Sequence, residues 1–253
     1  MKTESQGLFT RPDIPSLPLA DMHCHILPGV DDGSTSMDES IAMLRAEYLD
    51  GVRTVFFTPH YRAGMFETSR NECREKFQEL RKKSLAIFPD LELYLGCEFH
   101  VSMDMQVQIA EESSYRMAEG NYVLTEFSSS DEKFSMRNYI QRLTMNGFHP
   151  VIAHVERYPA CRDLRFLMEL KNMGALIQVN ADAILGMDGF GFRSYTRRLL
   201  REGLVDMIGS DCHDMKNRAP HLGRCAKFLC AKYDAKLAHI LMWESPRRML
   251  SFR

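Results

Sequence analysis

The chain has 253 residues, 45% of them hydrophobic and 26% charged, with a formal net charge of -2. That balance supports a sizeable core in one α/β unit, and it lacks the basic excess that grips nucleic acid or an anionic membrane. No stretch approaches the roughly 20 apolar residues of a membrane-spanning helix, and seven cysteines with no Cys-x-x-Cys spacing suit a reducing, cytoplasmic setting rather than a disulfide framework.

Residues 1–18 lack an apolar run and read as a loose arm before a single domain over 19–253. Seven apolar, β-branched runs follow, at 18–25, 52–60, 91–100, 122–128, 149–156, 175–180 and 205–213. They alternate with helical patterns, the signature of βα units around a parallel sheet. Ser36 stands three residues before Glu39 and Ser69 three before Glu72, the spacing of capping boxes at two helix starts. In the second of these helices Cys73, Phe77, Leu80 and Ile87 recur at helical steps and predict its inward face. Gly51, Gly147, Gly174 and Gly203 follow helical patterns as stops, and Ser245 before Pro246 predicts an N-cap with proline at the first helical position. No internal repeat or linker divides the chain.

Metal-capable residues close these runs. His23 and His25 end the first, His60 the second, Glu98 the third, Glu126 the fourth and His154 the fifth, with Asp211 and His213 on the last. Successive strand side chains point to opposite faces, so His23 shares a face with His25, and Asp211 with His213. In parallel βα folds the C-terminal rim of the strands is where ligands bind. One such histidine would be a structural residue; eight metal-capable positions at one rim are not the scatter of unrelated polar groups. The loop after His25 adds Asp31 and Asp32, and its irregularity leaves open which of the two is aimed at the rim. Imidazole and carboxylate without thiolate suit manganese, iron or zinc. Cys24 and Cys212, interleaved with ligands, face the other way as small buried hydrophobes. Four carboxylates against roughly +6 from three divalent ions leave a pocket of about +2, suited to a phosphate monoester. Such ions lower the pKa of a bridging water and clamp the attacking and leaving oxygens, which points to phosphoester hydrolysis.

Together DMHCHILPGVDDGS, TPHY, GCEFHV, PVIAHVERY, QVNADAILG and IGSDCHDMKNR resemble the polymerase and histidinol phosphatase (PHP) superfamily. Within it they are most similar to the bacterial metal-dependent protein-tyrosine phosphatases linked to capsule and exopolysaccharide regulation, over about residues 19–250. The resemblance implies a distorted (β/α)7 barrel of PHP type holding three divalent ions, manganese first, with iron and zinc as alternatives. One ion would take His23, His25, Glu98 and Asp211; a second would share Glu98 with Glu126 and His154; a third would take Asp32, His60 and His213. The nucleophile would be a metal-bridging hydroxide. Arg157 and Arg218 match arginines that bind phosphate, where a planar guanidinium grasps two phosphoryl oxygens; Arg62 is a weaker candidate. The implied substrate is a phosphotyrosine protein, a bacterial tyrosine kinase tail, and a homo-oligomer is compatible.

Asp182 and Ala183 depart from the small residues usual in the family and put a carboxylate near the pocket. A histidinol-phosphatase-like small-molecule phosphatase is the nearest alternative, disfavoured by Glu126 and the double aspartate; a phosphodiesterase lacks a basic, aromatic strip. A non-catalytic metal-stabilised module would have shed ligands. Cys212 and Arg218 have the Cys-x5-Arg spacing of cysteine-dependent tyrosine phosphatases, but the intervening HDMKN has no glycine and places Asp214 where phosphate would sit.

Overall fold

The computed structural model of the chain describes residues 18–251. The expected N-terminal arm lies outside the described residues except for Pro18. The described chain is a mixed α/β fold around a curled parallel sheet. Its strand segments are β1 (Leu19–Cys24), β2 (Val52–Phe57), β3 (His60–Tyr61), β4 (Glu92–Leu95), β5 (Glu98–His100), β6 (Tyr122–Glu126), β7 (His149–Ile152), β8 (Leu176–Asn180) and β9 (Met207–Gly209). They pair in the orders β1-β2-β4 and β3-β5-β6-β7-β8-β9, every pair parallel. At the rim the first and last strands meet: Cys24 and Cys212 form a parallel bridge, and the His25 amide donates to the Cys212 carbonyl at 2.9 Å.

Two expected strands, 52–60 and 91–100, are each broken in two. Pro59 has no amide to donate to a ladder, so the backbone steps between β2 and β3, and the neighbouring strand steps with it at Gly96–Cys97. The Glu98 amide donates to the Pro59 carbonyl at 3.1 Å, which keeps the two breaks side by side. The runs at 149–156 and 205–213 also leave the sheet early, at Ile152 and Gly209. Asp211 and His213 are therefore aimed by a loop rather than by strand alternation.

β1 itself carries a bulge. Its register against β2 slips between Asp21 and Cys24, so Met22 packs inward with Phe56, Leu124, Val151 and Met207, and His23 next to it also points into the barrel-like interior. An extra residue on one strand has this effect, shifting which face later side chains occupy. Asp21 is left on the opposite side, towards the helices, with Glu47 and Cys212.

Two helices start where the sequence predicts. Ser36 caps α1 (Met37–Leu49) and Ser69 caps α2 (Arg70–Ile87), each hydroxyl accepting the amide three residues on at 3.2 Å. The reciprocal half of the first box is replaced: Glu39 accepts from the Thr35 amide at 2.9 Å instead. Cys73, Phe77 and Leu80 are buried, but Ile87 is 45% exposed, because α2 ends there and Phe88 turns in to cover that part of the core. Gly51, Gly147, Gly174 and Gly203 all have positive φ, as helix stops of this kind require. Ser245 is not an N-cap. It has helical dihedrals and no capping bond, within a helical path running from Ala235 through a wide turn at Ile240–Glu244. Pro246 lacks an amide and its ring crowds the carbonyl of Met242, so the ladder widens there instead of restarting. No helix among the described residues is long and apolar enough to cross a membrane.

Candidate metal centre

Glu98 stands at the middle of the rim, fully buried at the start of β5. Its Oε2 lies 3.1 Å from His23 Nε2, 3.2 Å from His25 Nε2 and 3.1 Å from His60 Nδ1, and its Oε1 lies 2.7 Å from His154 Nε2. Asp211 Oδ1 approaches the first two imidazoles at 3.5 and 3.6 Å. Asp32 Oδ1 sits 3.6 Å from His60 Nε2 and 3.5 Å from His213 Nε2. Glu126 closes the ring, with its Oε2 3.8 Å from His60 Nδ1 and its Oε1 4.0 Å from His154 Nε2. All nine residues expected as ligands thus surround one space.

Eight of the nine, all but His154, fall into three overlapping groups able to share an ion: His23, His25, Glu98 and Asp211; His25, Asp32, His60 and His213; and His60, Glu98 and Glu126. The first matches the expected first set. In the others His60 and His25 face two groups each, and His154 is nearer Glu98 than Glu126. Of the double aspartate, Asp32 faces the histidines of the second group. Asp31 is buried behind His25, accepting from its Nδ1 at 2.7 Å and from the His60 amide at 2.9 Å.

The donor set fits divalent ions on an internal test. Glu98 Oε2, His60 Nδ1 and His213 Nε2 are buried without a hydrogen-bond partner, although buried polar atoms are almost always paired. All three point into the cluster. The electrostatics agree. Burial opposes ionisation of Glu98, yet His23, His60 and His154 hold its carboxyl well below the usual range. For Asp211, burial is outweighed in the same way by Arg157, His23 and Arg218. Burial pushes His60 down to about 4, leaving a neutral imidazole, the form that binds metals. Burial and the charge of Glu98 push Glu126 up to about 8, so without cations the cluster has one acid too many.

Backbone and neighbours aim these groups. His154 and Asp211 have φ of 30° and 54°, the left-handed region that non-glycine residues seldom enter. Gln178 and Asn180, on one face of β8, were missed in the sequence; two polar residues alternating inside a buried strand were the available signal. Gln178 Oε1 accepts the His154 amide at 2.5 Å and lies 3.3 Å from His23 Nδ1, while Asn180 Nδ2 donates to Asp211 Oδ2 at 2.7 Å. The Tyr158 hydroxyl sits 3.1 Å from His154 Nδ1. Gly209 lets β9 approach β1 closely, since a Cβ there would lie 2.7 Å from the His23 Cβ.

Arg157 and Arg218 each place Nη2 2.8 Å from Asp211 Oδ2, with 37% of each side chain exposed. Beside Arg157 a cavity of about 380 Å³ is lined by Arg62, Glu126, His154, Arg157, Tyr158 and the serines at 128–130. Arg62 pairs with Phe66 across a short hairpin that stacks the Phe66 ring on His60, centroids 5.1 Å apart. Asp182 bonds His221 at 2.9 Å, so its carboxylate has a local partner. The thiol-phosphatase alternative fails on geometry. Cys212 is buried on the far side, and Asp214 Oδ1 fills its own loop, accepting the amides of Lys216, Asn217 and Arg218 at 2.5, 2.6 and 3.2 Å.

The family model for capsular polysaccharide synthesis, CpsB/CapC, matches residues 19–251. The chain is 32% identical to the tyrosine-protein phosphatase CpsB of Streptococcus pneumoniae, over 92% of this chain and 98% of that protein. It is 28% identical to the tyrosine-protein phosphatase YwqE of Bacillus subtilis, over 88% of each. Crystal structures of YwqE and CpsB, described as unique metal-dependent tyrosine phosphatases, include a chain that superposes with a TM-score of 0.84 at 27% identity, covering 92% of this chain and 94% of that one. The phosphotriesterase homology protein of Escherichia coli shares the fold alone, at 12% identity and a TM-score of 0.60.

Proposed function

Because the chain belongs to the CpsB/CapC capsular polysaccharide synthesis family, we propose that it is a metal-dependent phosphomonoester hydrolase acting on phosphotyrosine in proteins. The observation that carries this reading is the buried rim cluster with three unpaired donor atoms, opening beside two arginines. His23, His25, Glu98 and Asp211 would hold one divalent ion, Glu98, Glu126 and His154 a second, and Asp32, His60 and His213 a third, with His60 placed to lean towards either of the last two. Manganese is the first choice by the family resemblance, and the carboxylate and imidazole donors suit iron or zinc as well. Ions held there would supply Lewis acidity and an activated water.

The chain's own groups then have defined work. Arg157 and Arg218 share one carboxylate oxygen of Asp211, so an incoming phosphate exchanges one anion for another on the same guanidinium groups. The cavity beside Arg157 leaves room for the aromatic ring of the substrate. A phenolate leaves with little protonation, which matches a site without a dedicated acid. Counting β2 with β3 and β4 with β5 gives seven strand positions, and the bridge between Cys24 and Cys212 supports reading the curled sheet as a distorted (β/α)7 barrel. The free, mostly buried cysteines suit a cytoplasmic setting, where the tail of a bacterial tyrosine kinase would be the partner.

The test compares turnover of a phosphotyrosine peptide, a phosphoserine peptide and histidinol phosphate after loading with Mn2+, Fe2+ or Zn2+. Preference for the phosphotyrosine peptide, abolished by chelation and restored by metal, is expected. Preference for histidinol phosphate would favour the small-molecule phosphatase instead.

A further inference from the structure

Helix α1 buries Ser40, Met43, Leu44 and Glu47 against the sheet. The last of these breaks the apolar pattern. Glu47 is fully buried, and neither carboxylate oxygen has a hydrogen-bond partner. An unpaired carboxylate is strongly disfavoured in such surroundings. It faces Asp21 and Cys212, and one donor atom from each of the three residues lies within 4.8 Å of the others, all of them buried. Asp21 is turned to this side by the bulge in β1 and aimed by Ser210, whose amide and hydroxyl donate to its two oxygens at 2.9 and 2.6 Å. Cys212 is buried, and its sulfur falls in this group and in none of the groups at the rim.

We propose that Asp21, Glu47 and Cys212 form a separate, buried cation site on the helix side of the sheet, selective for Zn2+. The donor set differs in kind from the rim: a sulfur with two carboxylates favours a borderline-soft ion over Mn2+. Binding would deprotonate both the Cys212 thiol and the neutral Glu47 carboxyl and release the two protons to solvent as the sulfur and a carboxylate oxygen bond the ion. An ion there would tie α1 to β1 and to the segment after β9. Those two stretches carry His23, His25, Asp211 and His213, so the site would act as a structural clamp behind the rim. It does not depend on the phosphatase reading.

The test loads the full chain with Co2+ and records the thiolate-to-cobalt charge-transfer band in the near ultraviolet. No thiol lies in the rim cluster, so that band reports sulfur ligation away from it. The wild-type chain should show the band, and Cys212→Ser and Glu47→Leu should lose it. Native mass spectrometry after Zn2+ loading should count one ion fewer in Glu47→Leu, an apolar replacement suited to its neighbours Met43 and Leu44. Absence of the band in cobalt-loaded wild-type protein would overturn the proposal. So would a band persisting in Cys212→Ser, or an unchanged zinc count in Glu47→Leu; the latter decides alone if Cys212→Ser does not fold.

Discussion

Replacing Tyr158 by phenylalanine should loosen the metal centre without removing any proposed ligand. The Tyr158 oxygen lies 3.1 Å from His154 Nδ1 and accepts the Phe127 amide at 3.1 Å. For His154 Nε2 to hold a cation, its proton must sit on Nδ1 and be donated to that oxygen. Burial, reinforced by the charge of Glu126, pushes the phenol well above its ordinary range, so the hydroxyl stays neutral and available as an acceptor. Tyr158→Phe therefore removes the group that fixes the His154 tautomer, and such losses weaken metal binding by about 10- to 100-fold. At about 1.4 kcal/mol per tenfold that is roughly 1.4–2.8 kcal/mol of binding free energy. The same change strands the buried Phe127 amide, a separate stability cost of about 1–3 kcal/mol. In a domain of this size it should lower Tm by a few degrees to about 10 °C. Competition of the metal-loaded chain against a fluorescent chelator measures the first effect, and thermal denaturation of the metal-free chain the second. If Tm falls while metal affinity stays that of the wild type, Tyr158 is only a packing residue and the tautomer argument is wrong.

Asp211→Asn and His154→Ala should each lower phosphotyrosine turnover by orders of magnitude while far-ultraviolet circular dichroism stays native, because each removes a donor from the cluster and leaves the hydrophobic core intact. Arg157→Lys should behave nearly as badly as Arg157→Ala, with kcat/KM down about 10- to 100-fold in steady-state assays, since an ammonium cannot grasp two phosphoryl oxygens. In the metal-free chain Glu126 titrates at about 8 against an ordinary value of 4.5. The folded state thus holds a proton that the unfolded state has lost, and this group's contribution to stability falls as pH rises from about 4.5 to about 8. Urea midpoints across that window should fall less steeply in Glu126→Gln.

Eight of the nine rim residues, all but Asp32, were legible because each closes an apolar run, and a strand end in a parallel sheet has a fixed destination. What stayed hidden has local causes. Pro59 split a strand that hydrophobicity alone reads as continuous. The bulge in β1 placed Met22 and His23 on the same side, so strict alternation along 18–25 misassigns Asp21. Strand periodicity grouped Asp211 with His213, yet the backbone there has already left the sheet, and φ of 54° at Asp211 belongs to a conformation that no residue pattern advertises. Gln178 and Asn180 lie in the QVNADAILG motif, but neither is a metal ligand type at a strand end, so the motif alone does not state their role. Their meaning depends on which groups the neighbouring strands bring opposite them.

The two left-handed residues also bear on how the centre is held before any cation arrives. Such conformations cost of order 1–3 kcal/mol each and persist only where surrounding contacts over-determine them. His154 is held by its amide bond to Gln178, and Asp211 by its amide bond to the His23 carbonyl at 2.8 Å and by the Asn180 side chain. Gln178 Nε2 in turn donates to Asn180 Oδ1 at 2.9 Å, so one face of β8 restrains both strained corners and the His23 ring together. The fold thus preorganises these proposed ligands through a buried amide pair on a strand that contributes no proposed ligand of its own. Rotation of either amide would release a proposed metal ligand and a strained backbone corner in the same event.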